Sequence, residues 1–119
     1  MAPRFAPLVL AGLLITTTAA LAGAPASPEL IIANQRFSPQ ELPLPSAIKV
    51  KLVIRNQDAL PAEFESYDLS REIVVPGHSQ VTVYLGPLPP GRYRFFNDFY
   101  QAAEGWVVVS ALPAVPEGN

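Results

Sequence analysis

The amino-acid sequence predicts an all-β Greek-key β-sandwich of about seven to eight strands. In several short segments hydrophobic residues alternate with polar ones, which is the pattern of a strand that is covered on one side. The chain carries 14 prolines and 7 glycines, and they interrupt it too often for long helices to form. Short strands separated by turn residues at regular intervals are typical of a sandwich.

The strongest strand signal lies at residues 47–55. Alternate positions in this segment are apolar and predict one buried face, formed by Ile48, Val50, Leu52 and Ile54. Charged side chains occupy most of the positions between them. We therefore expect a strand that packs this apolar face against the core.

Shorter runs predict the other strands. They lie at residues 29–33, around Phe37 and Phe64, and at residues 73–75, 80–85, 92–96 and 105–110. Turns are expected at Pro76-Gly77 and at Pro89-Pro90-Gly91, because these residues favour turn conformations. Pro43 and Pro45 cannot donate ladder hydrogen bonds, so their segment should form an edge strand or a connection.

The N-terminal residues predict a secretory signal peptide. Arg4 precedes an apolar run at residues 8–15, and small residues follow. Two Ala-x-Ala sites end at Ala22 and Ala24, so cleavage is expected at or between these two alanines. The apolar run is shorter than the roughly 20 residues that a spanning helix needs, which favours cleavage over a membrane anchor.

The chain is therefore expected to consist of a signal peptide at residues 1–24 and one secreted domain at residues 25–119. The ordered core of this domain should cover about residues 28–110. No linker long enough to separate two domains occurs in the 119 residues, and we expect no stable membrane insertion after signal cleavage.

The composition excludes several classes of function. The chain has no cysteine, so it cannot form a disulfide scaffold, a zinc ribbon, an iron–sulfur cluster or a cysteine-dependent catalytic site. A net charge of −2 with scattered basic residues argues against nucleic acid or an anionic membrane as a partner. The single histidine and the lack of a glycine-rich phosphate loop predict no catalytic residues and no nucleotide site.

Several motifs occur in a characteristic order along the predicted domain. They are Phe37-x-Pro39, a strand ending in Asn56, then Asp58, Phe64, Pro76-Gly77, Pro90-Gly91-x-Tyr93-x-Phe95 and Gly105-x-x-Val108. This order resembles the cupredoxin-like domain family over about residues 28–110. The resemblance implies a cupredoxin-like sandwich.

The same resemblance implies that the copper ligands of the family are missing. In a copper-carrying member, two histidines, a cysteine and a methionine would fall at or near Glu63, Tyr100, Asn97 and Ala103 respectively. A type 1 copper centre needs two imidazoles and a thiolate. Type 1 copper, and electron transfer through it, are therefore excluded.

A narrower resemblance concerns four short segments. They are Glu63-Phe64-Glu65-Ser66, Leu69-x-Arg71-Glu72, Gly86-Pro87-Leu88 and Phe96-Asn97-Asp98-Phe99. These resemble small periplasmic cupredoxin-like proteins associated with bacterial ferrous-iron permease systems. The resemblance implies a periplasmic location, a role in iron uptake, and a membrane iron permease and a periplasmic metal-binding protein as partners. Tyr100 stands where such proteins commonly carry a histidine.

Acidic residues supply the candidate metal ligands. Glu63 and Glu65 are two apart on a predicted strand, so their carboxylates should share one face while Phe64 points into the core. Asp98 should reach the same end of the sandwich, and Glu72 and Glu104 are further candidates. Carboxylates favour hard cations over Cu(I) or Zn. We expect a site formed by Glu63, Glu65, Asp98 and Glu72 for iron, or for copper or manganese bound through oxygen.

Three alternatives remain open at this point. Glu63 and Glu65 can form the solvated face of an edge strand, with Arg71 paired to one of them. The acidic end can instead dock onto a permease or a periplasmic protein without any metal. Oxidation of iron is a third alternative, and it would need an electron acceptor such as a copper partner or oxygen.

Overall fold

The structure, a computed structural model, describes residues 2–7, 11–14 and 27–111. The two expected cleavage sites and the chain after residue 111 lie outside these residues. The signal peptide therefore stays a prediction. No helix in the described ranges is long and apolar enough to cross a membrane.

Residues 29–110 form nine β-strands. They are β1 (Glu29–Ala33), β2 (Arg36–Ser38), β3 (Glu41–Pro45), β4 (Val50–Asn56), β5 (Ala62–Ser66), β6 (Arg71–Val75), β7 (Ser79–Leu85), β8 (Gly91–Phe96) and β9 (Glu104–Ser110). They form two sheets, and the described residues include no helix. The all-β prediction is confirmed, and the strand count exceeds the expected seven to eight because the segment with Pro43 and Pro45 forms a strand, β3.

The two sheets have four and five strands. Their strand orders are β2-β1-β4-β7 and β3-β9-β8-β5-β6. β1 pairs with β4 and β3 pairs with β9 in parallel, and the other pairs are antiparallel. We call the end where β4 begins the Lys49 end, and the end where it finishes the Asn56 end.

The register assigns the connections to these two ends. β4 and β7 pair Asn56 with Ser79, so the connections before β5 and before β7 lie at the Asn56 end. The loop between β8 and β9 lies there too, because its Asn97 accepts a hydrogen bond from the start of β5. β3 and β9 end side by side at the Lys49 end, where Pro45 is opposite Ser110.

Three phenylalanines connect the sheets in the core. Phe37 of β2 meets the ring of Phe95 of β8 edge-on at a centroid distance of 4.9 Å. Phe64 of β5 lies 5.1 Å from the same Phe95 ring. Aromatic pairs with these geometries add to the free energy gained by burial alone. The expectation that Phe64 points into the core is confirmed.

The start of β4 differs from the prediction. The strand begins at Val50, and Ile48 is 51% exposed instead of buried. Ala47 adopts a left-handed φ of 64° and donates its N–H to the carbonyl of Leu88 at 3.2 Å. This turn takes Ile48 out of the strand alternation, so its assignment to the core face was wrong.

The predictions for Pro43, Pro45 and the turn at Pro76-Gly77 are confirmed. Pro43 and Pro45 lie on β3, which is an edge strand of the five-stranded sheet. Pro76 and Gly77 form the connection between β6 and β7. Any Cβ on Gly77 would lie 1.9 Å from the carbonyl oxygen of Ala59, so the glycine lets this turn approach the loop that precedes β5.

Gly105 on β9 allows a close contact with the core. A Cβ at this position would lie 2.5 Å from Cζ of Phe95 and 2.7 Å from the carbonyl oxygen of Gln40. We expect Gly105→Ala to lower the free energy of unfolding by about 1–3 kcal/mol, because overpacking forces the ring or the backbone to move.

Gly91→Ala is the matched control, because a Cβ there would meet nothing closer than 3.7 Å. Urea unfolding of both variants measures the difference. Equal stability of the two variants would contradict this account of Gly105.

Candidate metal centre

Glu63 lies on an inner strand of the five-stranded sheet. β5 pairs with β8 on one side and with β6 on the other, so it is not an edge strand. Ala62 and Phe64 belong to the core, and Glu63 therefore points to the outer face of the sheet. Its backbone N–H donates to Oδ1 of Asn97 at 3.0 Å, which holds the start of β5 against the β8–β9 loop.

The carboxylate of Glu63 is buried and incompletely paired. The residue is 4% exposed, and its Oε1 atom is the one buried side-chain oxygen in the described residues without a hydrogen-bond partner. A buried acceptor without a partner is costly, because it has lost water and gained nothing in return. Such an atom is explained by a bound proton, water or cation.

Two further carboxylates lie beside it. Glu65 follows on the same face of β5, and Glu72 is opposite Glu65 on β6. One oxygen from each of the three glutamates lies within 4.8 Å of the others. We call Glu63, Glu65 and Glu72 the glutamate cluster. Its members range from buried Glu63 through half-buried Glu65 to exposed Glu72.

Burial and negative charge raise the pKa of Glu63 from 4.5 to about 7. Burial is the largest cause, since it disfavours the ionised form. The next cause is a hydrogen bond that protonated Glu63 shares with Glu72. The negative charges of Glu65, Glu72 and Asp98 act in the same direction, so each of these causes favours the protonated form of Glu63.

The structure brings three of the four expected ligands together. Asp98 lies outside the glutamate cluster, although its charge contributes to the pKa of Glu63. Its Oδ1 accepts a hydrogen bond from Gln101 at 3.4 Å. Glu104, the further candidate, pairs with Arg94 at 2.9 Å and does not join the cluster.

Arg71 does not neutralise the cluster. Its guanidinium donates to the carbonyls of Leu69, Ser70 and Tyr84, and it forms no ion pair in the part of the chain that the structure describes. The expectation that Arg71 pairs with a carboxylate was wrong, because Arg71 reaches across to β7. The solvated-edge alternative also fails for Glu63, which is buried on an inner strand.

Two of the four positions that correspond to copper ligands, Asn97 and Tyr100, line a different space. A cavity of about 380 Å³ opens at the Asn56 end, and its lining includes Ala62, Asn97 and Tyr100. Ala62 points inward at the start of β5, whereas Glu63 points outward. The glutamate cluster therefore lies on the outer sheet face and does not line this cavity.

Hydrogen bonds of three polar side chains organise the Asn56 end. Asn56 donates to the carbonyls of Leu60 and Val75, and Asn97 accepts from the N–H groups of Glu63 and Phe99. Both carboxylate oxygens of Asp58 accept backbone N–H bonds of the β1–β2 turn. These residues belong to the sequence motifs, but their partners lie far away in the chain and are not evident from the sequence.

The cluster has the donors that a hard cation requires. Three carboxylates supply only oxygen, which suits iron, manganese, calcium or magnesium and not a soft metal. Water can fill the remaining coordination positions on the exposed side, at Glu72. The arrangement can therefore bind a cation and exchange it with solvent or with a partner.

The fold and the absence of cysteine define the class of protein: a cupredoxin-like sandwich without a type 1 copper site. A family model described as the cupredoxin-like domain matches residues 5–109, so the chain belongs to this family. It is 39% identical over 83 residues to an uncharacterised protein of Rickettsia prowazekii (strain Madrid E). That match covers 69% of this chain and 66% of the relative, slightly less than two thirds of its length.

Solved structures with the same fold include copper proteins. Amicyanin from Paracoccus versutus is 13% identical, with a TM-score of 0.59 over 74% of this chain and 85% of its own. The purple cupredoxin from Nitrosopumilus maritimus is 20% identical, with a TM-score of 0.53 over 70% of this chain and 99% of its own. At these identities the likeness shows the fold alone.

The pKa of Glu63 predicts how stability depends on pH. Between pH 4.5 and about 7 the folded protein keeps a proton on Glu63 that the unfolded chain has released. Raising the pH through this window therefore favours unfolding, and stability should fall from its value at acidic pH. Glu63→Gln should remove this decrease. Urea unfolding of the metal-free wild type and of Glu63→Gln, at several pH values across this window, measures how the stability of each protein changes with pH.

The control is Glu104→Gln, which removes a carboxylate of the same sheet face that is paired with Arg94. This variant should keep the decrease seen in the wild type. If wild type and Glu63→Gln show the same slope, Glu63 does not hold the proton.

Proposed function

We propose that this chain is a periplasmic cupredoxin-like accessory protein of iron uptake, which binds iron or another hard metal through a carboxylate cluster and hands it over. It is not a blue-copper electron carrier. The observation that carries the proposal is the buried, unpartnered Oε1 of Glu63 beside the carboxylates of Glu65 and Glu72. A cation would give this oxygen the partner that it lacks.

The charge around the cluster supports a cation as its ligand. Each ion pair in the described residues involves a glutamate outside the cluster, namely Glu29, Glu41 or Glu104. Glu65 and Glu72 thus place negative charge beside Glu63, and no positive side chain in the described residues is paired with the cluster. A bound metal would supply the missing positive charge and displace the proton from Glu63.

Exposure of the site supports exchange over storage. Glu72 is exposed on the edge strand β6, so a metal at the cluster would be accessible from solvent. Three carboxylates leave coordination positions for water, and such sites release their metal more easily than closed ones. This suits a protein that passes the metal on as its cargo.

The cellular context of the proposal depends on the narrower resemblance. That resemblance suggests the periplasm, a membrane iron permease and a periplasmic metal-binding protein as partners. The permease would receive the metal, or the metal-binding protein would exchange it. Oxidation of iron belongs to the proposal only as a step assisted by a partner that accepts the electron.

Calorimetric titration tests the metal site. The metal-stripped protein is titrated with Fe(II) under anaerobic conditions, and with Mn(II) and Cu(II). We expect saturable binding of iron by the wild type and its loss in the double variant Glu63→Gln plus Glu65→Gln. The cause is that two of the three ligands lose their negative charge.

The double variant Glu41→Gln plus Glu104→Gln is the control. It removes the same charge from glutamates that are paired with Arg92 and Arg94. Binding should persist in this variant. If no metal binds to the wild type, or if both double variants lose binding equally, the carboxylate site is rejected.

A docking module without metal is the second candidate, and the surface of the Asn56 end favours it. Leu60 and Phe99 are 65% and 56% exposed there, and both line the cavity of about 380 Å³. Apolar side chains this exposed beside a cavity are typical of contact surfaces. The partner would be a permease or a periplasmic protein that contacts this end.

Polar substitutions at the exposed apolar surface separate the two candidates. With Leu60→Ser plus Phe99→Ser, a docking module loses complex formation whether or not metal is present, while the glutamate cluster stays intact. A metal carrier instead shows a complex that depends on metal in the wild type. Size-exclusion chromatography of the protein with its candidate partner, with and without iron, measures this difference.

A further inference from the structure

The Lys49 end carries both lysines of the chain. Lys49 and Lys51 are the only two lysines in the sequence, and both are exposed. Lys51 is opposite Tyr84 on the outer face of the four-stranded sheet, and the Lys49 ammonium lies 5.0 Å from the centre of the Tyr84 ring. Arg71 adds a third cation, since its guanidinium donates to the Tyr84 carbonyl at 3.1 Å.

Apolar surface accompanies these cations. Ile48 is 51% exposed and Tyr84 is 50% exposed. A groove of about 390 Å³ lies beside Ile48, lined by Pro43, Leu44 and Pro45 with the two lysines at its margin. We call Ile48, Lys49, Lys51 and Tyr84, together with this groove, the basic apolar face.

No carboxylate neutralises this face in the described part of the chain. Acidic residues do not line the groove. Glu29, which shares the outer face of the four-stranded sheet, is paired with Arg55. The positive charges of Lys49 and Lys51 are therefore available to a ligand.

The fold separates this face from the glutamate cluster. The cluster lies on the outer face of the five-stranded sheet, whereas the lysines lie on the outer face of the four-stranded sheet at the Lys49 end. The net charge of −2 is a sum over the chain and does not show that the acidic cluster and the lysines lie on different sheets. The composition argues against an anionic membrane as a partner, but the fold brings Lys49, Lys51 and Arg71 together around Tyr84, where such a surface would attract them.

We infer that the basic apolar face binds the surface of a membrane that contains anionic phospholipids. Lysines attract lipid phosphates, an exposed isoleucine enters the boundary between headgroups and acyl chains, and a tyrosine suits the same depth because its ring is apolar and its hydroxyl polar. The domain also begins at this groove, which Ser27 and Pro28 line.

The interaction is weak and depends on the anionic lipid. Each lysine near an anionic surface strengthens binding about fivefold, and a protein with so few contacts dissociates readily. In this orientation the glutamate cluster faces away from the lipid. The inference does not depend on metal binding, and the two can fail independently.

A single fluorescent label tests the orientation. The chain has no cysteine, so Ile48→Cys gives one attachment site for a polarity-sensitive fluorophore. Leu60→Cys is the matched control, because Leu60 is 65% exposed at the opposite end. The full chain is mixed with vesicles of phosphatidylglycerol and phosphatidylcholine in equal parts, and with vesicles of phosphatidylcholine alone.

We expect a blue shift from the label at position 48 with the anionic vesicles only, and none from the label at position 60. Adding Lys49→Gln plus Lys51→Gln should weaken vesicle binding about 25-fold, which is about fivefold for each lysine. Arg36→Gln plus Arg94→Gln removes equal charge elsewhere and should leave the shift unchanged. The N-terminal segment is the same in all variants, so its own insertion cannot produce a difference between the lysine double variant and the arginine double variant.

Several results would overturn the inference. Equal shifts at positions 48 and 60, no shift at either, or a shift that survives the loss of both lysines would each do so. A shift that depends on protein concentration without vesicles would assign the face to a second copy of this chain instead.

Discussion

Two buried asparagine side chains hold the Asn56 end of the sandwich together. Asn56 connects the end of β4 to the loop before β5 and to the end of β6, and Asn97 connects the β8–β9 loop to the start of β5. Without these hydrogen bonds the converging loops would leave backbone groups unpaired away from water. The backbone N–H of Glu63 donates to Asn97 within this framework. The backbone at the start of β5 is therefore satisfied, while Oε1 of the buried Glu63 carboxylate has no partner.

Alternation and turn residues were sufficient to predict most of the fold. Leu52 and Ile54 were expected in the core and lie there, because alternation in a strand is a local property that the sequence displays directly. Ile48 was assigned wrongly because its position depends on the left-handed φ of Ala47. That conformation depends on a hydrogen bond to Leu88, which is distant in the chain and was not evident from the alternation.

Less of the candidate metal site than of the fold could be predicted from the sequence. The Glu-x-Glu spacing placed Glu63 and Glu65 on one face, and the resemblance drew attention to Glu72. Spacing alone did not predict that β5 is an inner strand, on which a carboxylate becomes buried. Nor did it predict where the Arg71 side chain lies. Its contact with Tyr84 depends on the distance between β6 and β7, which are edge strands of the two sheets. Burial and long-range pairing are properties of the assembled sheets.

The prolines of β3 have a consequence for self-association. A free sheet edge normally offers N–H and carbonyl groups to which another chain can add a strand. Pro43 and Pro45 carry no N–H, so an incoming strand would find two donors missing on this five-residue edge. Edge-to-edge polymerisation through β3 is therefore disfavoured, which helps a small domain without disulfides to stay dispersed at high concentration.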